Sequence, residues 1–165
     1  YIKEGPTGIV LSRQKLPVIE RLPERVIGEP KNGAYVIRDT SKDLKTEVLF
    51  LASGSEIDLA LQAQAELEKK KVGSRVISFF CWSLFQKESK QYQDLILPSS
   101  IKARISIEAA ATFGWERWTG SDGVNIGLNR FGASAPDKTL YRELGLTVEE
   151  LVTAALGYSN HANRP

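Results

Sequence analysis

The chain has 165 residues, with 22 Lys and Arg against 20 Asp and Glu, a formal net charge of +2 that excludes a strong electrostatic claim on nucleic acid or an anionic membrane. At 42% hydrophobic and 25% charged it has a globular composition, long enough to bury roughly 70% of its unfolded surface in one core. A single cysteine, Cys81, excludes an internal disulfide and a cysteine-rich zinc site, and it suits a reducing compartment, so a cytoplasmic protein is expected.

The sequence contains no methionine and opens on Tyr1-Ile2-Lys3-Glu4, without the apolar core of a secretory signal, so it reads as a piece of a longer protein. No apolar run approaches the ~20 residues of a membrane-spanning helix, and no membrane partner is expected. Ile9-Val10-Leu11-Ser12 is a β-branched run that reads as an isolated strand. From Lys15 to Gly33 three prolines and scattered charges break any period, which places a linker and a domain boundary there.

Beyond the linker, apolar runs alternate with helical patterns. Ala34-Tyr35-Val36-Ile37 predicts a first strand, and Val48-Leu49-Phe50-Leu51-Ala52 predicts one covered on both faces, because its apolar run is continuous. Ser53-Gly54-Ser55-Glu56 turns into a helix from Ile57 to Lys71, with Ser55 and Asp58 placed as a capping box and Asp58, Gln62, Glu66 and Lys69 on one polar face. The lysine run Lys69-Lys70-Lys71 complements the helix dipole, and Gly73 is expected to end the helix. Arg75 to Phe79 then completes a parallel β-α-β unit. Glu88 to Leu97 predicts a helix stopped by Pro98, Ala103 to Ile107 another strand, and Val124-Asn125-Ile126 a short last one. Two helices close the domain, one over Asp137 to Leu144 behind Pro136 and one capped by Thr147 with Glu150. The tail from Ser159 to Pro165 is expected to be flexible.

Few residues suggest chemistry. Ser53-Gly54-Ser55, at a strand-to-helix turn, is where an open α/β sheet often receives a phosphate or carboxylate, although a turn that merely caps a helix has the same sequence. Arg130-Phe131-Gly132-Ala133-Ser134-Ala135-Pro136 is a small-residue loop suited either to a ligand or to a tight packing corner. In Phe113-Gly114-Trp115-Glu116-Arg117-Trp118, two tryptophans three residues apart fit an interface and a core equally. His161, the only histidine, sits in the tail with no carboxylate or cysteine pattern around it, and Cys81 has no neighbouring His or Lys to activate its thiol. No catalytic residue is expected on this chain.

Ile9-Val10-Leu11-Ser12-Arg13-Gln14-Lys15-Leu16-Pro17, Ala52-Ser53-Gly54-Ser55-Glu56, Leu97-Pro98, Phe113-Gly114-Trp115-Glu116 and Arg130 to Pro136 occur in the order seen in transketolases, and the chain resembles that family from Gly5 to about Leu156. The resemblance implies the third domain of a thiamine-diphosphate enzyme that moves a two-carbon ketol unit from a ketose phosphate to an aldose phosphate in the pentose phosphate pathway. The implied fold is an open, mostly parallel twisted sheet of about five strands with helices on both faces. Residues 1–14 would end the preceding, pyrimidine-binding domain, 15–33 would link, 34–158 would be the C-terminal domain and 159–165 the tail. By resemblance Arg13 contacts the substrate's sugar phosphate, a role suited to a permanently charged fork of donors.

Thiamine diphosphate and its Mg²⁺ (or Ca²⁺) belong to the other domains of the family, so this piece is expected to bind neither. Gly120-Ser121-Asp122-Gly123 is not the family's Gly-Asp-Gly metal motif. The expected partners are the remainder of the chain, a second subunit of a homodimer and sugar phosphates. One departure is Asn129, where the family usually shows Asp. Two other readings stay open: a regulatory anion- or nucleotide-binding module using Ser53, Gly54 and Ser55, and the last domain of a related thiamine enzyme such as dihydroxyacetone synthase.

Overall fold

A computed structural model describes residues 6, 8, 11–12, 14–20 and 22–162, with only the backbone described at 159–162. Five strands form one sheet: β1 (Ala34–Arg38), β2 (Thr46–Ala52), β3 (Gly73–Phe79), β4 (Ala103–Ile107) and β5 (Val124–Ile126), in the order β1-β3-β2-β4-β5. All neighbours run parallel except β1, which pairs antiparallel with β3 through Val36 opposite Ile77. Phe50 at the centre of β2 lies between Val76 of β3 and Ile105 of β4.

The continuous apolar run of β2 has the cause expected of it, since successive side chains point to opposite faces and both faces are covered. Val48, Phe50 and Ala52 pack with Val76, Ile105 and Ile107 under helices α1 (Ile57–Lys69) and α6 (Val148–Ala162). Leu49 and Leu51 face the other way, into a cluster with Ile77, Phe79, Phe85, Ile96, Trp115 and Trp118. That second face is closed by α2 (Trp82–Lys87), α3 (Lys90–Ile96) and α4 (Glu116–Thr119), while α5 (Asp137–Glu143) leads to α6.

Local chemistry differs from expectation at several element ends. The entry to α1 is a 3₁₀ turn, Gly54–Glu56, and Ser55 Oγ donates to Glu56 Oε1 at 2.7 Å instead of capping the helix with Asp58. At the far end α1 stops at Lys69, and the left-handed residue is Lys71 (φ 63°), not Gly73. Gly73 instead opens β3, and a Cβ there would fall 2.0 Å from the Lys45 carbonyl oxygen, so close backbone passage requires the glycine. The helix expected over Glu88 to Leu97 is shorter, because the Ser89 hydroxyl accepts the Tyr92 N–H at 3.2 Å and sets the start of α3 at Lys90.

Helix α2 was not expected; its single buried side chain, Phe85, leaves no period to read. Thr147 caps α6 as expected through the Glu150 N–H at 3.2 Å. The backbone stays helical to Ala162, past the start of the expected flexible tail at Ser159. Of the strand expected over Ile9 to Ser12, Ile9 and Val10 lie outside the described residues, and Leu11 and Ser12 are not in a strand. No described helix is long and apolar enough to cross a membrane.

Candidate site at the carboxyl edge of the sheet

The chain leaves β2 toward β3 on one side and leaves β4 toward β5 on the other, so the carboxyl ends of these two adjacent strands form a topological switch point. Open α/β sheets keep their ligands in such crevices. Ala52 and Ile107 are paired at the strand ends, which brings Ser53 and Glu108 face to face. Ser53 Oγ donates to Glu108 Oε1 at 2.7 Å, and the Trp115 indole N–H donates to Glu108 Oε2 at 3.0 Å.

A second carboxylate closes the same crevice. Glu56, only 3% exposed, accepts the Ala109 backbone N–H at 3.1 Å and the Ser55 hydroxyl, and it also accepts the Tyr141 hydroxyl at 2.5 Å. Gln14 Nε2 in turn donates to Tyr141 Oη at 3.0 Å, which fastens the segment before the domain to the crevice. A cleft of about 930 Å³ opens here, bounded by Gln14, Ser53, Glu56, Glu108, Tyr141 and the Gly132-Ala133 loop.

The Ser53-Gly54-Ser55 turn therefore sits where its sequence placed it, but its hydroxyls are spent on two carboxylates of the chain itself. Arg130, in the neighbouring small-residue loop, donates to the Phe131 carbonyl oxygen at 3.3 Å, its one hydrogen bond among the described residues. Asn129 pins two loops together, its Oδ1 accepting both the backbone N–H and the hydroxyl of Thr112 at 3.1 and 3.0 Å. The tryptophans of the Phe113–Trp118 segment are core, Trp115 at 1% and Trp118 at 7% exposure, whereas Phe113 is 89% exposed. Cys81 is half-buried with Sγ 3.5 Å from Ser83 Oγ, the side chain of His161 lies outside the described residues, and so does all of Arg13.

Burial first, and then the bond to Glu56, hold the Tyr141 phenol above its ordinary value of 10.0. A raised phenol keeps its proton longer in the folded state, so its stabilising contribution is whole below pH 10 and is lost as pH rises through the folded value. Tyr141→Phe removes one donor from Glu56 and the acceptor of Gln14, and should cost about 1–3 kcal/mol at neutral pH. Its stability curve should also fall less steeply above pH 10 than that of the unsubstituted chain, where Tyr92 and Tyr158, both raised by burial, continue to contribute. Denaturant unfolding between pH 7 and 11 measures both effects.

Sequence reasoning missed Glu56, Glu108 and Tyr141 as partners. The only available signal was the pairing of β2 with β4, which joins groups 55 residues apart.

These features define a doubly covered α/β domain whose carboxyl-edge cleft is lined by its own carboxylates while its carboxyl-edge loops stay exposed. Residues 33–147 match the profile of the transketolase-like TK C-terminal domain, and the chain belongs to that family. It is 48% identical over 150 residues to a chloroplastic transketolase of Craterostigma plantagineum, covering 91% of this chain and 28% of that one. It is 46% identical to chloroplastic transketolase-1 of Arabidopsis thaliana, covering 94% of this chain and 21% of the other. The solved transketolase of Campylobacter jejuni superposes on 82% of this chain and 20% of its own with a TM-score of 0.71 at 35% identity. The chain thus spans about a quarter of the length of these relatives.

Proposed function

We propose that the chain serves as the C-terminal domain of a thiamine-diphosphate-dependent transketolase, acting on ketose and aldose phosphates in the pentose phosphate pathway within a homodimer. The observation that carries this reading is the family match over residues 33–147, joined to an exposed face at the carboxyl edge. Phe80, Phe113 and Phe131, which follow β3, β4 and β5, are 49%, 89% and 96% exposed. Exposed aromatics on three carboxyl-edge loops suit docking against the remainder of the enzyme or its second subunit. The cytoplasmic assignment rests on cysteine usage alone.

The cofactor on this reading is held by the other domains of the enzyme. Among the described residues no three His, Cys, Asp or Glu side chains gather into a metal-holding group. Gly120 to Gly123 is a turn before β5 in which the Asp122 carboxylate takes the Ser121 hydroxyl at 3.4 Å. The domain's share of function is then structural, with Arg13, on the segment that Gln14 clasps to Tyr141, reaching the substrate phosphate. The 165-residue chain mixed with thiamine diphosphate, Mg²⁺, xylulose 5-phosphate and ribose 5-phosphate should give no turnover. Adding a polypeptide that carries the other two transketolase domains should restore it, and turnover by the chain alone would overturn the proposal.

A further inference from the structure

A second cavity, of about 400 Å³, lies at the opposite end of the sheet, at the amino ends of β4 and β5. Its walls carry four cationic side chains against two acidic ones, Asp94 and Asp122. Lys90 is already paired with Asp94 at 2.7 Å, which leaves Lys102, Arg104 and Arg117 without an ion pair among the described residues. Arg104 is the unusual member. It is half-buried, and its guanidinium is held wholly by backbone carbonyls: Nε on Ile101 at 3.1 Å, Nη1 on Trp118 at 2.8 Å, Nη2 on Pro98 at 3.0 Å and on Leu97 at 3.3 Å.

Four carbonyls fix the fork in place without a formal charge, and burial, opposed by the Asp94 carboxylate, lowers the pKa of Arg104 from its ordinary value. Asp94, on the same cavity wall, acts on it only from a distance and makes no ion pair with it, being bonded to Lys90. Arg117 lies over the Trp118 ring at 5.4 Å, and the buried indole N–H of Trp118 finds no acceptor among the described residues. Both add donors to this wall.

We propose that this cavity binds the phosphate group of a small metabolite, seated among Lys102, Arg104 and Arg117, at a site separate from the carboxyl-edge crevice. A phosphate dianion matches three cations better than a monocarboxylate does: the exposed Arg117 fork and Lys102 supply donors, while Arg104, most of whose N–H groups are held by carbonyls, supplies mainly charge. The volume admits a phosphorylated sugar or a similar small body.

The test is an amide and side-chain NMR titration of the 165-residue chain with inorganic phosphate, glucose 6-phosphate and glucose, at constant ionic strength set with NaCl. Saturable shifts are expected at Arg104 Nε–H, the Trp118 indole and the amides of Ser99 and Ser121, with a Kd in the low millimolar range, and none with glucose. Tighter binding of glucose 6-phosphate assigns the site to a metabolite, and equal binding assigns it to free phosphate. Lys102→Ala with Arg117→Ala removes two exposed cations and should weaken binding at least tenfold with the unfolding temperature unchanged. Arg104→Lys, which keeps the charge but not the fork, should weaken it less. Shifts that stay linear to 20 mM, or that persist undiminished in the double substitution, overturn the proposal.

Discussion

Trp115→Ala should be among the most destabilising single substitutions in the chain, costing about 3–5 kcal/mol, the range for emptying a buried tryptophan site. The indole is 1% exposed and stacks edge-on against Phe79 at 5.8 Å and Trp82 at 5.1 Å, in a cluster where Phe79, Phe85 and Trp118 also lie 5.0–5.4 Å apart. Truncation leaves a cavity in a core of rigid aromatics that collapse poorly, and it strips Glu108 Oε2 of its donor. Trp115→Phe fills part of the space but donates nothing, so it should recover less than the ring's area alone suggests. For a domain of this size the alanine variant should melt roughly 10 °C lower, read by thermal unfolding. Hydrogen exchange at Ala109 should quicken as the bridge between the β2 and β4 turns loosens. A change in melting below about 2 °C would mean that the second cluster is not the stabilising core its burial implies.

The parts of the fold legible in sequence were those fixed by local pattern. Val48 to Ala52 and Arg75 to Phe79 read as buried strands because a sheet covered on both faces needs apolar side chains at successive positions. The Lys69 to Lys71 run marked the end of α1 to within two residues. Elements decided by single contacts were not legible: α2 follows from Phe85 filling the aromatic cluster, and the glycine at 73 answers a carbonyl 28 residues earlier in the chain, at Lys45.

The site followed the same division. The Ser53-Gly54-Ser55 turn could be placed at a strand end, but the identity of what fills it depends on β4 lying beside β2. Only that pairing sets Glu108 against Ser53 and Ala109 against Glu56. Arg104 was likewise invisible as a ligand candidate. Its alternation within β4 marks an outward or covered polar residue, and only the loops at Leu97 to Ile101 and Trp118 show that its guanidinium is held by backbone carbonyls.

If Arg13 holds the substrate phosphate as proposed, Arg13→Ala in the assembled enzyme should lower kcat/KM for phosphorylated substrates by about 30–150-fold, the equivalent of losing roughly 2–3 kcal/mol of charge-assisted hydrogen bonding. The phosphate lies away from the reacting carbonyl, so the loss should appear chiefly in KM, for donor and acceptor alike, with kcat changed little. An unphosphorylated ketose supplies the control: it has nothing for the guanidinium to hold, and its kcat/KM should be the same in both enzymes. Arg13→Lys keeps the charge without the fork and should fall between the two. The clasp from Gln14 through Tyr141 to Glu56 makes a linked expectation, because residue 13 is one peptide away from the side chain it anchors. Tyr141→Phe should therefore raise KM for phosphorylated substrates several-fold and leave the unphosphorylated ketose untouched. Equal losses on both kinds of substrate would assign Arg13 to the folding of the linker and not to the phosphate.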